Sequence, residues 1–573
     1  MKKIISLLLA ATLLTITACS AGSTNTNSSE GDGLDGVITD AAPDGSEAGA
    51  ENTTEGTAGG EIAISSDGMD MSYVCDDNNR VFYEIFVGSF SDSNGDGIGD
   101  LRGIIERMDY LSDGDPASGK SLGVEGLWLT PIFSSPSYHK YDVADYYSID
   151  PDFGTMEDLQ ELIALCHERN VKLILDMPIN HTAKRNSWYS AFVLARRQGD
   201  TESPYYDFYS TYTEGETAPA GRIFEKVSGT DIYCECNFSG DMPELNYDCA
   251  GVREAVLDVA KYYLDMGVDG FRFDAAKYIY LGDNPASAEF WSWYMSELRA
   301  VKSDVYAVAE VWDADGITDI YYPALNCFDF SIAQSGGLLA ETANHRDATR
   351  LTSYVDKYLK NVTAMREDAT IVPFISNHDM DRAAGFLTVS SGNMKVAANL
   401  YLLSPGSPFI YYGEEIGMKG SRGGANTDAN RRLAMLWGDG DTVKDPTGTT
   451  YDSSKQADTD VARQLSDPDS LLSYYKKLLM IRNANPEIAR GTYTSLALGG
   501  TKLGGFISEW QGRSVCVIHN TTAEELTLDL SGVSEISAMN ASGISLAAYI
   551  GPGGALLSGS VLTIGAQTSV VMR

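Results

Sequence analysis

Basic side chains are scarce in this chain. Against 80 Asp and Glu there are 42 Lys and Arg, a formal net charge of −38 over 573 residues. A field of that sign repels phosphate backbones and anionic lipid, which excludes nucleic acid as a natural partner and leaves neutral ligands open. Between Ser20 and Asn79 there is no Lys or Arg at all. Cysteine is sparse and unevenly placed. Besides Cys19 there are seven, at 75, 166, 234, 236, 249, 327 and 516, an odd number that cannot all pair. Cys234, Cys236 and Cys249 lie close together, but no second C-x-x-C or His pair completes a zinc site. A local disulfide and plain thiols both stay open. The N-terminal apolar run, residues 4–14, is too short to span a bilayer as a mature helix.

What stands at the N-terminus is an export pattern. Lys2 and Lys3 precede that run, and Ile16-Thr17-Ala18-Cys19 follows it. Small residues before a Cys resemble the bacterial lipobox, in which Cys19 is lipidated and becomes the new N-terminus, giving residues 1–19 as a lipoprotein signal peptide. Residues 20–75, dominated by Gly, Ser, Thr, Ala, Asp and Glu, are expected to be a disordered acidic tether. About 50 flexible residues reach ~40 Å on average, enough to hold a folded body clear of a membrane to which only the lipid attaches it.

From Arg80 short apolar runs alternate with amphipathic stretches. The runs are 81–87, 124–129, 171–177, 268–273, 305–311, 326–330, 371–376 and 408–412, with helical patterns at 101–111, 156–169, 253–266 and 290–301 between them. Near-continuous apolar runs are how buried parallel strands read. Eight of them with helical material between fit a (β/α)8 TIM barrel over 76–485. An open doubly wound sheet gives a similar string, so periodicity leaves that choice open. Residues 182–245, rich in Tyr and Gly, are too long for a plain connection and are expected to be an inserted domain after the third strand. After a helical stretch at 471–483, short β-rich runs separated by Gly mark 486–573 as a C-terminal antiparallel β-sandwich domain.

In a TIM barrel, catalytic groups sit at the C-terminal ends of strands. The third run ends in Asp176, Asn180 and His181, the fourth in Arg272, Asp274 and Lys277, the fifth in Glu310, and the seventh in Asn377, His378 and Asp379. Four strand ends carry a carboxylate, and three of the six histidines, 139, 181 and 378, fall at such ends. Any one of these clusters reads equally well as a structural ion pair or a solvated acid; their convergence is what points to a site.

Asp176-Met-Pro-Ile-Asn180-His181, Gly270-Phe-Arg272-Phe-Asp274-Ala-Ala-Lys277, Glu310-Val-Trp312 and Phe374-Ile-Ser-Asn-His378-Asp379 resemble the four signature regions of the α-amylase family of retaining (β/α)8 glycoside hydrolases, in the family's order. Met242-Pro-Glu-Leu-Asn246 resembles a fifth region and is similar to a group intermediate between α-amylases and oligo-1,6-glucosidases. Tyr138-His139-Lys-Tyr141-Asp142 resembles the stretch beyond the second strand. The resemblance implies Asp274 as nucleophile, Glu310 as acid/base and Asp379 as the third carboxylate. It implies substrate contacts at Tyr83, His139, Tyr141, Asp142, His181, Arg272, Lys277, His378 and Arg432, with Arg431 as the other way to align the last. Arg272, two residues before Asp274 on a strand, should keep it ionised. Asp176 is expected to orient its neighbours.

Asp92, Asn94, Asp96, Ile98 and Asp100 space oxygen donors every second residue among glycines, as hard cations require. No helix precedes them and no Glu stands at the twelfth position, so this is no EF-hand. The resemblance implies a structural Ca²⁺ site there; an Asp/Gly turn is the alternative. A further calcium position at Asn180 is less well matched, because Glu244 and Tyr278 replace its usual partners.

Exo-acting oligoglucosidases of the family commonly carry Asp three residues before the stacking Tyr. This chain has Tyr138. The expected activity is therefore extracellular endo-hydrolysis of α-1,4 bonds in starch and maltooligosaccharides at the bacterial cell surface. The alternatives are an oligo-α-glucosidase, a neopullulanase, a maltogenic or transglycosylating enzyme, and, from a different class, a non-catalytic surface glucan-binding protein. The last loses force because all three carboxylates are retained.

Overall fold

The computed structural model describes residues 61–65, 69–388, 391–539 and 543–573. Cys19, the signal segment and most of the acidic tether lie outside them. Among the described residues no helix is long and apolar enough to cross a membrane.

Seven parallel strands pair in the order Asn326–Cys327, Tyr306–Ala309, Gly270–Phe273, Lys172–Met177, Gly126–Leu129, Phe82–Ile85 and Phe409–Tyr411. Two parallel bridges, Phe328 with Val372 and Phe374 with Phe409, join the outer strands through the segment around 372–374. The eight apolar runs thus close into one barrel, which decides against the open sheet. Each strand is buried on both faces, which is why it lacks an alternating pattern. The interior is packed with rings: Phe82 stacks on Phe409 at 4.8 Å and lies 4.5 Å from Tyr306, beside Trp128, Ile174 and Val308.

The crossover helices follow their local sequence. Met156–Glu168 starts at a capping box in which Thr155 and Asp158 satisfy each other's backbone N–H groups. Ala250–Met266 buries the stripe Val252, Val256, Val259, Ala260 and Tyr263, and stops at Gly267, whose φ of 113° a side chain would resist. Gly270 matters for the site. A Cβ there would strike the Tyr306 backbone, so glycine lets the fourth and fifth strands, which carry Asp274 and Glu310, pack closely.

After the third strand come the helix Ser187–Gln198 and a small antiparallel sheet, in which Thr211–Thr213 and Phe224–Lys226 flank Ile232–Glu235. Bridges from His181 to Glu244 and from Tyr209 to Leu245 draw the two ends of the insertion together beside the barrel mouth. Cys234, Cys236 and Cys249 are free thiols, as are the other four described cysteines.

The C-terminal region is two antiparallel sheets over a core of Ile518, Leu562, Ile564, Val570 and Met572, with one helix, Ser534–Met539, that no periodicity announced. Its six-stranded sheet contains a surprise. Ile62–Ile64 pairs antiparallel with Leu546–Ile550 as the edge strand, and Lys395 grips Glu61 at 2.6 Å. Asp70 and Asp77 then bond Arg513 and Arg490. The expectation of a free tether to residue 75 is corrected: the chain is already structured at Glu61. The two isoleucines flanking Ala63 suit an edge strand, a signal that average composition over the acidic stretch hid.

Barrel and sandwich meet at Glu487. It is fully buried and takes Arg513 at 2.7 Å and Arg573 at 2.8 Å. Glu487→Ala leaves the mostly buried Arg573 without its anion, while Arg513 keeps Asp70, and should cost about 3 kcal/mol. A urea-unfolding midpoint unchanged from the wild type would contradict this.

Candidate active site

Side chains alternate along a strand, so on Gly270–Phe273 Arg272 points into the barrel, and Asp274 follows two residues later at the strand's end. Arg272 is fully buried. One of its terminal amino groups donates to Asp176 at 2.8 Å and to Asp274 at 2.7 Å, and the other donates to Glu310. Trp128 lies over the guanidinium at 5.2 Å. One cation thus gathers the acids of the third, fourth and fifth strands. The backbone supports the same arrangement: Glu310 N–H donates to Phe273 and Ala276 N–H to Glu310.

Asp379 sits opposite. Arg432 donates to it at 2.6 Å, and His378 Nε2 stands 3.2 Å from its other oxygen. Tyr141 joins the two halves, its hydroxyl 2.8 Å from Asp176 and 2.6 Å from His378 Nε2. A cavity of about 750 Å³ opens over these groups. Asp274, Glu310, Asp379, Tyr141, His139 and His181 line it, as do Asp142, Lys277 and Arg432.

The environment separates the proton affinities. Burial pushes Glu310 up to about 7, reinforced by Asp274 and Asp379 and opposed by Arg272. Burial also raises Asp274 overall, while Arg272 pulls toward the ionised form, as expected, without offsetting burial fully. Burial works on Asp379 in the same direction, but His378 and Arg432 outweigh it and hold the acid well below the usual carboxylate range. His139 and His181 are pushed down by burial to about 4, so they meet a ligand as neutral rings.

A profile described as the catalytic domain of alpha amylase matches residues 84–491. The chain belongs to the α-amylase family. It is 36% identical over 455 residues to alpha-amylase 3 of Dictyoglomus thermophilum, covering 79% of this chain and 87% of that protein. It is 30% identical to a 4-alpha-glucanotransferase of Thermotoga neapolitana, covering 78% and 97%. Among solved structures, Eubacterium rectale Amy13B superposes with a TM-score of 0.78 at 32% identity, over 87% of this chain and 96% of that one. The protein is thus an α-amylase-family glycoside hydrolase or transferase.

Three residues expected to touch substrate do not line the α-amylase-family cavity. Arg272 and His378 are buried beneath it and act on the groups that do line it. Tyr83 is a correction. On the first strand Phe82 and Glu84 face the barrel axis, so Tyr83 faces the helices, where its hydroxyl donates to Glu415 at 2.7 Å. Arg432, rather than Arg431, bonds the Asp379 carboxylate; Arg431 donates to the Asp379 backbone carbonyl at 2.6 Å and binds Asp381 and Asp428. Sequence reasoning missed Glu84, which bonds His378 from below, although a count of two from Phe82 points to it. It also gave no role to Trp312, which is 38% exposed at the cavity wall with Phe330 stacked 5.0 Å behind it. Phe238 and Met242 reach the wall from the insertion, a placement that only folding makes visible.

The oxygen-rich loop closes on itself. Asp92 accepts N–H groups of Asn94, Gly95 and Gly97, Asn94 that of Asp96, Asp96 that of Ile98, and Asp100 those of Ser93 and Gly103. Among the described residues no three acidic, His or Cys side chains converge to hold a metal. At the second calcium position the amide of Asn180 lies 3.5 Å from His181 Nδ1, while Glu244 accepts from Asn237.

A Glu310 carboxyl pushed up to about 7 donates a proton below that pH and loses it above. The alkaline limb of kcat/KM on a maltooligosaccharide should therefore fall near pH 7, and a flat profile to pH 9 would exclude Glu310 as the acid.

Proposed function

We propose that this protein cleaves internal α-1,4-glucosidic bonds of starch and maltooligosaccharides by double displacement with retention. The observation that carries the chemistry is the Arg272 fork, which holds Asp274 and Glu310 side by side. Retaining glycosidases need two carboxyls ~5–5.5 Å apart, whereas inverting ones leave room for a water between them. Asp274, as carboxylate, attacks the anomeric carbon while Glu310 protonates the departing glycosidic oxygen. Glu310 then takes a proton from water, whose oxygen displaces Asp274 and restores both acids. Asp379, held ionised, faces the positive charge that develops on the sugar ring.

Two observations favour internal bonds. Tyr138, bonded to Arg432, stands where an acid closes the pocket of exo-acting enzymes. A second cavity of about 700 Å³ meets the first at Trp312, Asp379 and Asp428, so a chain has room on both sides of the cleaved bond. The name of the Dictyoglomus relative agrees with this reading, and that of the Thermotoga relative favours transfer to a sugar as the second reading. Soluble starch should yield reducing ends and a mixture of short oligosaccharides, and Asp274→Asn should abolish their release. Unchanged release in that variant would sink the assignment, and products longer than the substrate would favour the second reading.

We propose export and anchoring through Cys19, supported by the lipobox-like sequence behind Lys2 and Lys3. A structural Ca²⁺ at the 92–100 loop is likewise proposed, supported by the alternation of oxygen donors and glycines. Asp92, Asn94, Asp96, the Ile98 carbonyl and Asp100 would hold it, and no catalytic step passes through it. Dialysis against chelator should lower the melting temperature by several degrees, and an unchanged melt would remove the ion from the proposal.

A further inference from the structure

Glu84 lies at the floor of the site, fully buried, on the first barrel strand. Its Oε1 is 2.5 Å from His378 Nδ1 and also accepts the His378 backbone N–H at 3.3 Å. The other ring nitrogen, Nε2, faces two oxygens, the Tyr141 hydroxyl at 2.6 Å and Asp379 Oδ2 at 3.2 Å.

This geometry constrains the protons. Tyr141 has one hydroxyl hydrogen, and Asp176 Oδ2 at 2.8 Å can only accept it. His378 Nε2 must then be the donor toward Tyr141, and Asp379 next to it is a further acceptor. On the opposite side Glu84 accepts from Nδ1. Both ring nitrogens therefore carry hydrogen, which makes the ring a cation. A neutral ring would set a nitrogen lone pair against the Tyr141 oxygen and an ionised Asp379.

We propose that Glu84 is a positioning residue of the active site: it holds His378 as a doubly protonated imidazolium whose second N–H orients Tyr141 and Asp379 toward the sugar. The charges around the ring fit this role. Glu84 faces it from the first strand, Tyr141 from beyond the second, Asp176 from the third and Arg272 from the fourth. Glu310 on the fifth strand feels its charge, Asp379 adjoins it, and Arg432 donates to its carbonyl at 3.1 Å. Burial alone would lower His378, but Asp379 and Glu84 outweigh it and push the ring up to about 10. Among the described residues no other acidic side chain bonds Nδ1, so removing Glu84 takes away one of the two acids that hold the proton, Asp379 being the other.

The catalytic consequence rests on the glycosidase reading; the ionisation state does not. The test is nitrogen NMR of the full chain labelled in histidine, between pH 6 and 9, with His378 assigned by its loss in His378→Gln. The wild type should keep both ring nitrogens protonated through pH 8. A singly protonated ring at pH 7 overturns the proposal without any variant. Glu84→Gln preserves shape and an acceptor but not charge. There His378 should titrate within that range, and kcat on a maltooligosaccharide should fall roughly tenfold to hundredfold at pH 8, less at pH 6, with KM moving less. Glu84→Asp, which keeps the charge, should retain the protonated ring and recover part of kcat at pH 8. A purely spatial role reverses the order, Gln tolerated and Asp not, and an equal loss at both pH values likewise overturns the proposal. A wild type that cleaves no glucan would fail the glycosidase reading and leave the NMR result standing.

Discussion

A guanidinium with no contact with solvent sits at the centre of the barrel mouth, and the site depends on how its charge is balanced. Burying a cation is tolerable only if anions share its environment and its hydrogens find acceptors. Arg272 finds its anions in Asp176, Asp274 and Glu310, drawn from three neighbouring strands, and both terminal amino groups find acceptors there, while its Nε has no partner among the described residues. The fork is planar and rigid, so balancing its charge also fixes where the acids stand. Gly270 lets the strands bearing Asp274 and Glu310 approach, and Trp128 covers the guanidinium face. What looks like an electrostatic necessity is therefore also the device that aligns Asp274 and Glu310, the proposed nucleophile and acid.

A second group of charges divides the labour among the carboxyls. Asp379 adjoins both Arg432 and His378 and is held ionised, while Glu310, with only a share of Arg272 and two acids nearby, holds its proton to about 7. Environments that push neighbouring titratable groups apart are how one cavity contains both a proton donor and a permanent anion. Tyr141 couples the two halves through its single hydroxyl, so the protonation of His378 bears on the Arg272 cluster as well as on Asp379.

Much of this was legible in the sequence, and the parts that were not share a cause. Strand ends could be read because buried parallel strands are continuous apolar runs, and the acids following 171–177, 268–273, 305–311 and 371–376 were visible at once. The facing of side chains within a strand was harder. Tyr83 and Glu84 differ by one position, and in a run with no alternation nothing marks which faces the axis; the structure assigns the site to Glu84 and the helix packing to Tyr83. Ile62–Ile64 was lost inside an acidic average, because three residues become a strand only when the edge of a sheet formed by 546–572 is present to receive them. Phe238 and Met242 illustrate the same limit, since an insertion's reach is set by tertiary contacts such as the His181–Glu244 bridge.

The charge balance also bears on the class of ligand. Each cation at the cavity already has an anion: Arg272 has three, Arg432 has Asp379, His378 has Glu84 and Asp379, and Lys277 bonds Asp313 at 3.1 Å. A phosphorylated or carboxylated sugar would have to break one of these pairs, and would enter against the field of a chain carrying −38. A neutral sugar asks for no such exchange. Its hydroxyls can donate to the open lone pairs of Asp274 and Asp379 and accept from or donate to the neutral rings of His139 and His181, the latter with a buried Nε2 that has no partner among the described residues. Its apolar ring faces find Tyr141 and Trp312. The same pairing of charges that balances the barrel mouth thus supports the proposed uncharged polyhydroxyl substrate, and ties that proposal to the burial of Arg272.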